Sequence, residues 1–158
     1  MPLNKTNAMR LLDQLKIDYD VRTYVVDESD LSAGHVAEQI GLPIDQVFKT
    51  LIARTNNRDV VLACVPGSSA LDLKALGAVA KAKRAELVAL KDVQKLTGYV
   101  RGGVSPIGTR KPFPVFLDQS AHLWDTISIS AGQRGLQVLI KPDDLVCAIR
   151  AVVCELVR

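Results

Sequence analysis

The first forty residues alternate between helical and strand-like patterns of apolar side chains. Residues 6–15 carry their apolar positions on one stripe, at the spacing of an amphipathic helix. Residues 19–26 alternate well enough for a strand. A second helix is predicted over residues 32–40, because Ser32 is a favourable cap and Gly41 a favourable stop. The chain is therefore expected to begin with a helix, a strand and a helix.

The middle of the chain predicts an antiparallel hairpin followed by two short helices. Apolar runs cover residues 47–54 and 59–65, and Asn56 lies in the turn between them. The second run is almost wholly apolar, which is typical of a central strand buried on both faces. The two short helices are predicted over residues 72–80 and 92–96.

The last third of the chain predicts three strands and a long final helix. The strands are expected over residues 114–117, 126–130 and 136–140, and a glycine-containing hairpin loop joins the last two. Pro142 suits the first position of a helix. Apolar positions at helical spacing continue from there to Leu156, so the pattern predicts a single helix between these two residues.

Strands and helices that do not alternate regularly predict an α+β fold. We expect one domain over residues 1–158, with a curved, mixed, mostly antiparallel sheet flanked by helices. A chain of 158 residues with 48% apolar composition is long enough to bury a core. The net charge of +3 permits an RNA partner but does not require one. Aromatic residues make up only 4%, which argues against recognition by stacking many bases.

Neither a metal site nor a targeting segment is visible. Cys64, Cys147 and Cys154 form no C-x-x-C pair and are expected to be reduced core residues. His35 and His122 have no partner at ligand spacing, so we expect no metal and no cofactor. The N-terminus lacks an apolar signal segment and no apolar run reaches membrane-spanning length. We therefore expect a cytoplasmic protein with no membrane partner.

Two stretches carry candidate chemistry. Lys49 stands inside an apolar strand, where its ammonium must find an anion, a polar cavity or the solvent rim. The alternative is an edge position, with the stem packed and the head in water. Residues 98–111 form a loop around Gly102, Gly103 and Gly108, whose backbone donors and flanking cations suit a phosphate or carboxylate. The alternative is a tight glycine-rich connection between strands.

Four short blocks, spread over most of the chain, are distinctive when taken together. They are Val47-Phe48-Lys49-Thr50-Leu51, Leu71-Asp72-Leu73-Lys74, Gly98-Tyr99 followed by Gly102-Gly103-Val104-Ser105-Pro106-Ile107-Gly108, and Arg134-Gly135-Leu136. The Gly-Gly-x-Ser-Pro-x-Gly segment is far more specific than a lone glycine motif. In order and spacing these blocks resemble the YbaK family, the free-standing relatives of the insertion domain of prolyl-tRNA synthetase.

This resemblance implies a small, mixed, barrel-like sheet flanked by helices. It also implies an enzyme that hydrolyses the ester of mischarged tRNA. The most similar subgroup removes cysteine from the proline tRNA, and there the thiol of the bound cysteine is thought to attack its own carbonyl. The implied partners are the 3′ end of an aminoacyl-tRNA and, transiently, prolyl-tRNA synthetase.

The resemblance further implies the residues of the site. Lys49 would hold the 3′-terminal phosphate or the carbonyl of the aminoacyl end, and Gly102 with its neighbouring amides would orient the reacting group. Where related sequences can place an aspartate suited to the substrate's α-ammonium, this chain has Gln137, which lacks the charge. The substrate-binding residues expected on this basis are Tyr24, Tyr99, Gly103, Ser105, Pro106, Ser130, Arg134 and Gln137.

Other interpretations stay open at this point. The protein could bind a tRNA end without catalysis, or serve as an accessory protein of prolyl-tRNA synthetase. A nucleophilic Ser105 is disfavoured, because this serine precedes Pro106 and has no evident base. The basic residues Lys81, Lys83 and Arg84 form either a solvated turn or a contact with the tRNA backbone.

Overall fold

The computed structural model describes residues 4–158 as five α-helices and eight β-strands. The helices are α1 (Asn7–Gln14), α2 (Ala33–Ile40), α3 (Leu73–Val79), α4 (Val93–Thr97) and α5 (Pro142–Ile149). The strands are β1 (Asp20–Thr23), β2 (Phe48–Thr55), β3 (Val60–Pro66), β4 (Ala85–Leu87), β5 (Val115–Asp118), β6 (Ile127–Ser130), β7 (Leu136–Ile140) and β8 (Val152–Cys154). No described helix is both long enough and apolar enough to cross a membrane.

The first two helices begin at residues that cap them. The Thr6 hydroxyl accepts a hydrogen bond from the Met9 N–H at the start of α1. The Ser32 hydroxyl does the same for the His35 N–H at the start of α2, and Gly41 ends that helix with a left-handed φ of 74°. The sequence signals for both helices are therefore confirmed.

The strands form two sheets that adjoin at β2. The larger sheet has the order β4-β2-β3-β5-β8 and the smaller one the order β1-β7-β6. The pairs β2–β3, β2–β4, β1–β7 and β6–β7 are antiparallel, whereas β3–β5 and β5–β8 are parallel. A single parallel bridge between Val47 and Ser128 links the sheets. The expected mixed, mostly antiparallel α+β architecture is confirmed, but the expected single curved sheet is two sheets that do not close into a barrel.

The core fills both faces of β3, as its unbroken apolar run predicts. One face contributes Leu62 and Cys64 to a cluster that also contains strands of the smaller sheet and helices α1 and α5. The other face contributes Ala63 and Val65 to a second cluster beneath α3. The hairpin of β2 and β3 is therefore held between two layers, and β2 carries the first candidate residue, Lys49, into the middle of the molecule.

The prediction of a final helix reaching Leu156 is wrong. Helix α5 ends at Ile149, and Arg150 adopts a left-handed conformation with φ of 52°. The chain then forms β8, which pairs in parallel with β5. Val152 and Val153 are exposed on this edge strand. Their apolar spacing fitted a helix as well as a strand, and a strand of three residues is too short to show alternation.

Asp118 joins the end of β5 to the C-terminal segment. Its carboxylate is 1% exposed and accepts hydrogen bonds from the Leu156 N–H at 2.8 Å and the Ser120 N–H at 3.1 Å. The Ser120 hydroxyl also donates to it, at 2.5 Å. This carboxylate therefore terminates the strand and holds two backbone donors that would otherwise be unsatisfied.

Replacing Asp118 by alanine should destabilise the fold by about 2–4 kcal/mol, because the buried Leu156 N–H and the part-buried Ser120 N–H lose their acceptor. The measurement is the midpoint of urea unfolding. Asp125→Ala, at an exposed carboxylate, is the matched control and should change the free energy of unfolding by less than about 0.5 kcal/mol. Equal midpoints for the two variants would contradict the role assigned to Asp118.

Candidate active site

A cleft of about 580 Å³ lies along the open edge of β2. On this edge β4 pairs only with residues 53–55, and the smaller sheet is joined by one β-bridge at Val47, just before β2. The stretch of β2 between these pairings has no hydrogen-bonded strand on this edge and lines the cleft. The other walls come from the start of α2, the segment after β4, the glycine-rich loop, β6 and β7.

Lys49 is half-buried in this cleft, and its ammonium donates a hydrogen bond to the Gly67 carbonyl oxygen at 3.3 Å. Burial lowers the pKa of Lys49 below its ordinary value. Among the described residues, Lys49 and Arg101 are the charged side chains of the lining, and no carboxylate, histidine or cysteine belongs to it. The cleft is therefore a cationic cavity suited to an anionic ligand.

The remaining polar groups of the lining are hydroxyls and one amide. Ser130 lines the cleft, and its hydroxyl accepts a hydrogen bond from the Gly132 N–H at 3.1 Å. Gln137 lines it as well, and its side-chain oxygen accepts from the Ser128 hydroxyl at 2.9 Å. Thr50 also faces the cleft, and its hydroxyl lies 3.7 Å from the sulfur of the fully buried Cys64. Burial raises the pKa of Cys64 to about 12.

Gly102 brings bare backbone to the cleft. Its φ is 85°, which favours glycine, and a Cβ there would lie 3.3 Å from Leu31 and from the Nε of Arg134. That Nε donates a hydrogen bond to the Arg101 carbonyl at 2.7 Å. Gly103 is pressed against the same hairpin loop, since a Cβ there would lie 2.9 Å from the Arg134 backbone nitrogen. The loop after β6 thus fixes the glycine-rich loop beside the cleft.

Tyr99 does not line the cleft but anchors the glycine-rich loop from within. It is 6% exposed, and its hydroxyl donates to the Ile107 carbonyl at 2.7 Å and lies 3.0 Å from that of Gly108. Burial raises the pKa of Tyr99 to about 12. Its ring leaves no room for a side chain at Gly132, where a Cβ would lie 2.7 Å away.

Ser105 and Pro106 are likewise inside the loop and not on the cleft. Ser105 is fully buried, and its hydroxyl accepts a hydrogen bond from the Ile107 N–H at 3.1 Å. Pro106 is buried beside it. A hydroxyl used in this way is closed to substrate, so the sequence argument against a nucleophilic Ser105 holds in the structure.

Of the ten expected site residues, four line the cleft: Lys49, Gly102, Ser130 and Gln137. Gly103 and Arg134 support the lining from behind, and Tyr99, Ser105 and Pro106 shape the loop. Tyr24 packs on α2, and its N–H donates to the Gly135 carbonyl at 3.0 Å. Each of these six therefore lies off the lining.

The sequence argument missed two of the walls. One is the segment from Leu31 to Val36, which leads into α2 and forms its first turn, and the other is the segment Leu87–Leu90; both come to the cleft from distant parts of the chain. The second wall begins at the end of β4. This strand has only three residues, so hydrophobic periodicity did not reveal it. Thr50 was assigned to the face opposite Lys49, but both reach the cleft because the strand edge between them is open.

Comparison with known proteins identifies the family of the chain and related sequences. The family model of the aminoacyl-tRNA editing domain matches residues 28–147. A protein of Enterococcus faecalis named "Putative Cys-tRNA(Pro)/Cys-tRNA(Cys) deacylase EbsC" is 42% identical over 139 residues, covering 88% of this chain and 85% of that protein. An uncharacterized Bacillus subtilis protein, YwhH, is 27% identical and covers 75% of each chain.

The fold also matches a solved structure described as "a putative trans-editing enzyme for prolyl tRNA synthetase". The TM-score is 0.81 over 99% of both chains, at 22% identity. Together, the matched family model and the Enterococcus relative extend over most of the sequence, including the strand of Lys49 and the glycine-rich loop. The chain belongs to the aminoacyl-tRNA editing domain family, whose members hydrolyse the ester of mischarged tRNA.

Proposed function

We propose that this chain removes cysteine from mischarged proline tRNA. The observation that carries the proposal is a cleft lined by two cations and bare glycine backbone whose hydroxyls have, among the described residues, no carboxylate or histidine on the lining to activate them. Such a cleft orients an ester and stabilises the charge that develops on its carbonyl oxygen. The name of the Enterococcus relative, at 42% identity, supports cysteine as the amino acid.

In this proposal the two cationic groups hold the acceptor end. Lys49 contacts the phosphate of the 3′-terminal nucleotide or the ester carbonyl, and exchanges its present contact with the Gly67 carbonyl for that anion. Arg101 lies on the same lining and adds to the positive potential. The backbone at Gly102, which no Cβ covers, orients the reacting group.

The nucleophile comes from the substrate. The sulfur of the esterified cysteine attacks its own carbonyl carbon, the bond from that carbon to the ribose oxygen breaks, and the ribose hydroxyl leaves with the thiol proton. The resulting cyclic thioester takes up water and opens to free cysteine. No base or nucleophile of the protein is required, which agrees with a lining that holds neither carboxylate, histidine nor cysteine among the described residues.

The editing domain is proposed to comprise the whole chain and to act with prolyl-tRNA synthetase. Helix α1 and strand β8 lie outside the matched residues, yet α1 packs into the main core and β8 extends the larger sheet. The synthetase as a transient partner is supported by the description of one structural neighbour, a trans-editing enzyme for that synthetase. A small domain has little surface for selecting one tRNA by itself, so the partner would supply the selectivity.

Lys49→Ala should lower kcat/KM for cysteinyl-tRNA of proline by about 100-fold, the cost of losing one charge-stabilising group in such a site. The measurement is release of labelled cysteine, with Lys95→Ala, an exposed lysine off the lining, as the matched control. Alanyl-tRNA of proline should resist the unaltered protein, because alanine lacks the thiol. Intact cysteinyl esters in the presence of the unaltered protein would refute the catalytic proposal.

The lowered pKa of Lys49 should appear as an alkaline limit on binding of the acceptor end. A CCA trinucleotide keeps its phosphate charges throughout this range, so binding should weaken as rising pH removes the lysine proton. The midpoint should lie below the pKa of a free lysine, about 10.4. The Lys49→Arg variant keeps its positive charge throughout this pH range, so its binding should not weaken as the pH rises. Titration by NMR-detected binding tests this, and an identical pH profile for both proteins would contradict it.

A further inference from the structure

A second cleft, of about 310 Å³, lies beside β4 and the end of β2. Its polar lining comprises Arg54, Thr55, Asn56, Arg84, Glu86 and Asp92. Leu87 and Val88 line both this cleft and the candidate active site, so the two cavities adjoin at these residues. A ligand that occupies the candidate active site and extends past Leu87 and Val88 therefore reaches the second cleft.

Strand alternation places the basic groups on the same sheet face as part of the active site. Thr50, Ile52 and Arg54 share one face of β2, because side chains two residues apart point to the same side. Arg54 is paired with Glu86 in the register of β2 and β4, and Arg84 lies two residues before Glu86. Arg54 is about 13 Å from Thr50 along the strand, at 3.3 Å per residue.

Five basic side chains gather at this end of the larger sheet and are all exposed. They are Arg54, Arg58, Lys81, Lys83 and Arg84. The ion pairs found in residues 4–158 are Lys5–Asp13 and His122–Asp143, so none of these five is neutralised by a salt bridge. The surface carries fewer acidic side chains than basic ones. The acidic residues are Glu86 and Asp92 on the cleft and Asp59 nearby in the chain.

The backbone that presents these side chains is firmly held. The Asn56 side-chain oxygen accepts hydrogen bonds from the N–H groups of Lys83 and Arg84, at 2.8 and 3.0 Å. The Asn56 N–H donates to the Arg84 carbonyl at 3.1 Å. Gly77 of α3 packs so closely that a Cβ there would lie 3.3 Å from the Arg84 Cα. The backbone of the loop before β4 is thus fixed to the β2–β3 hairpin, while the charged ends of its basic side chains remain exposed.

We propose that this basic surface binds the phosphate backbone of the tRNA acceptor stem. The inference rests on the proposed function, which puts the 3′ end of the tRNA in the adjoining cleft. The nucleotides that precede that end leave past Leu87 and Val88 and meet Arg54 and Arg84. Contacts of this kind depend on the phosphate charge and not on the base sequence of the tRNA. This agrees with the scarcity of aromatic side chains for stacking on bases.

The test compares a full tRNA with a minimal substrate in the double variant Arg54→Ala/Arg84→Ala. The KM for cysteinyl-tRNA should rise by roughly tenfold at moderate salt, and the slope of log affinity against log salt should fall by about two, one for each lost phosphate contact. Hydrolysis of cysteinyl-CCA trinucleotide should be unchanged. Arg54→Lys/Arg84→Lys should retain the salt slope, and Arg10→Ala/Lys141→Ala is the charge-matched control off both clefts.

Binding of uncharged tRNA to the same proteins, followed by fluorescence anisotropy, tests the surface independently of catalysis. A weaker affinity with a smaller salt slope supports the proposal even if no ester is hydrolysed, a result that would refute only the proposed function. An unchanged affinity and slope would overturn the proposal. So would equal losses on the tRNA and the trinucleotide, which would assign the arginines to the active site. Unaltered tRNA binding with a lost response to added prolyl-tRNA synthetase would assign the surface to a protein partner instead.

Discussion

The structure depends on the incomplete pairing of one strand. β2 is bonded to β3 along its length, but its other edge is covered only at the ends, by β4 and by the bridge from Val47 to Ser128. An open edge in a sheet is ordinarily a site of unwanted association. Here α2 and the glycine-rich loop enclose it, and the enclosed space is the cleft. A lysine in the middle of an apolar strand is tolerated here because the cleft gives its ammonium a polar space, in which the Gly67 carbonyl accepts a hydrogen bond from it.

The glycine-rich loop forms the opposite wall and owes its shape to contacts with itself and with one hairpin. The Tyr99 hydroxyl and the Ser105 hydroxyl both bond backbone groups of Ile107, so the loop is closed on its inner side. Arg134 bonds the Arg101 carbonyl from outside. Supporting residues of this kind hold a binding surface in place before the ligand arrives, which lowers the cost of ordering it on binding.

Periodicity in the sequence predicted most of the elements, because the hairpin of β2 and β3 and the two capped helices carry strong local signals. It failed at β4 and β8, each three residues long, where alternation has no length over which to appear. The glycine motif identified the right loop but could not distinguish residues that face a ligand, such as Gly102, from residues that bond the loop, such as Tyr99. The walls from α2 and from Leu87–Leu90 arise from long-range packing, which no local pattern encodes.

The burial of Cys64 behind Thr50 has a consequence for redox chemistry. Only a thiolate attacks a disulfide, and a thiol with a pKa of about 12 stays protonated at neutral pH. In the proposed reaction free cysteine is the product, and it oxidises readily to a disulfide that reacts with exposed thiolates. Thr50 lines the cleft and Cys64 lies buried behind it, so the cleft wall presents no thiolate that could attack cystine. In the proposed reaction, Cys64 is therefore protected from forming a mixed disulfide with the product.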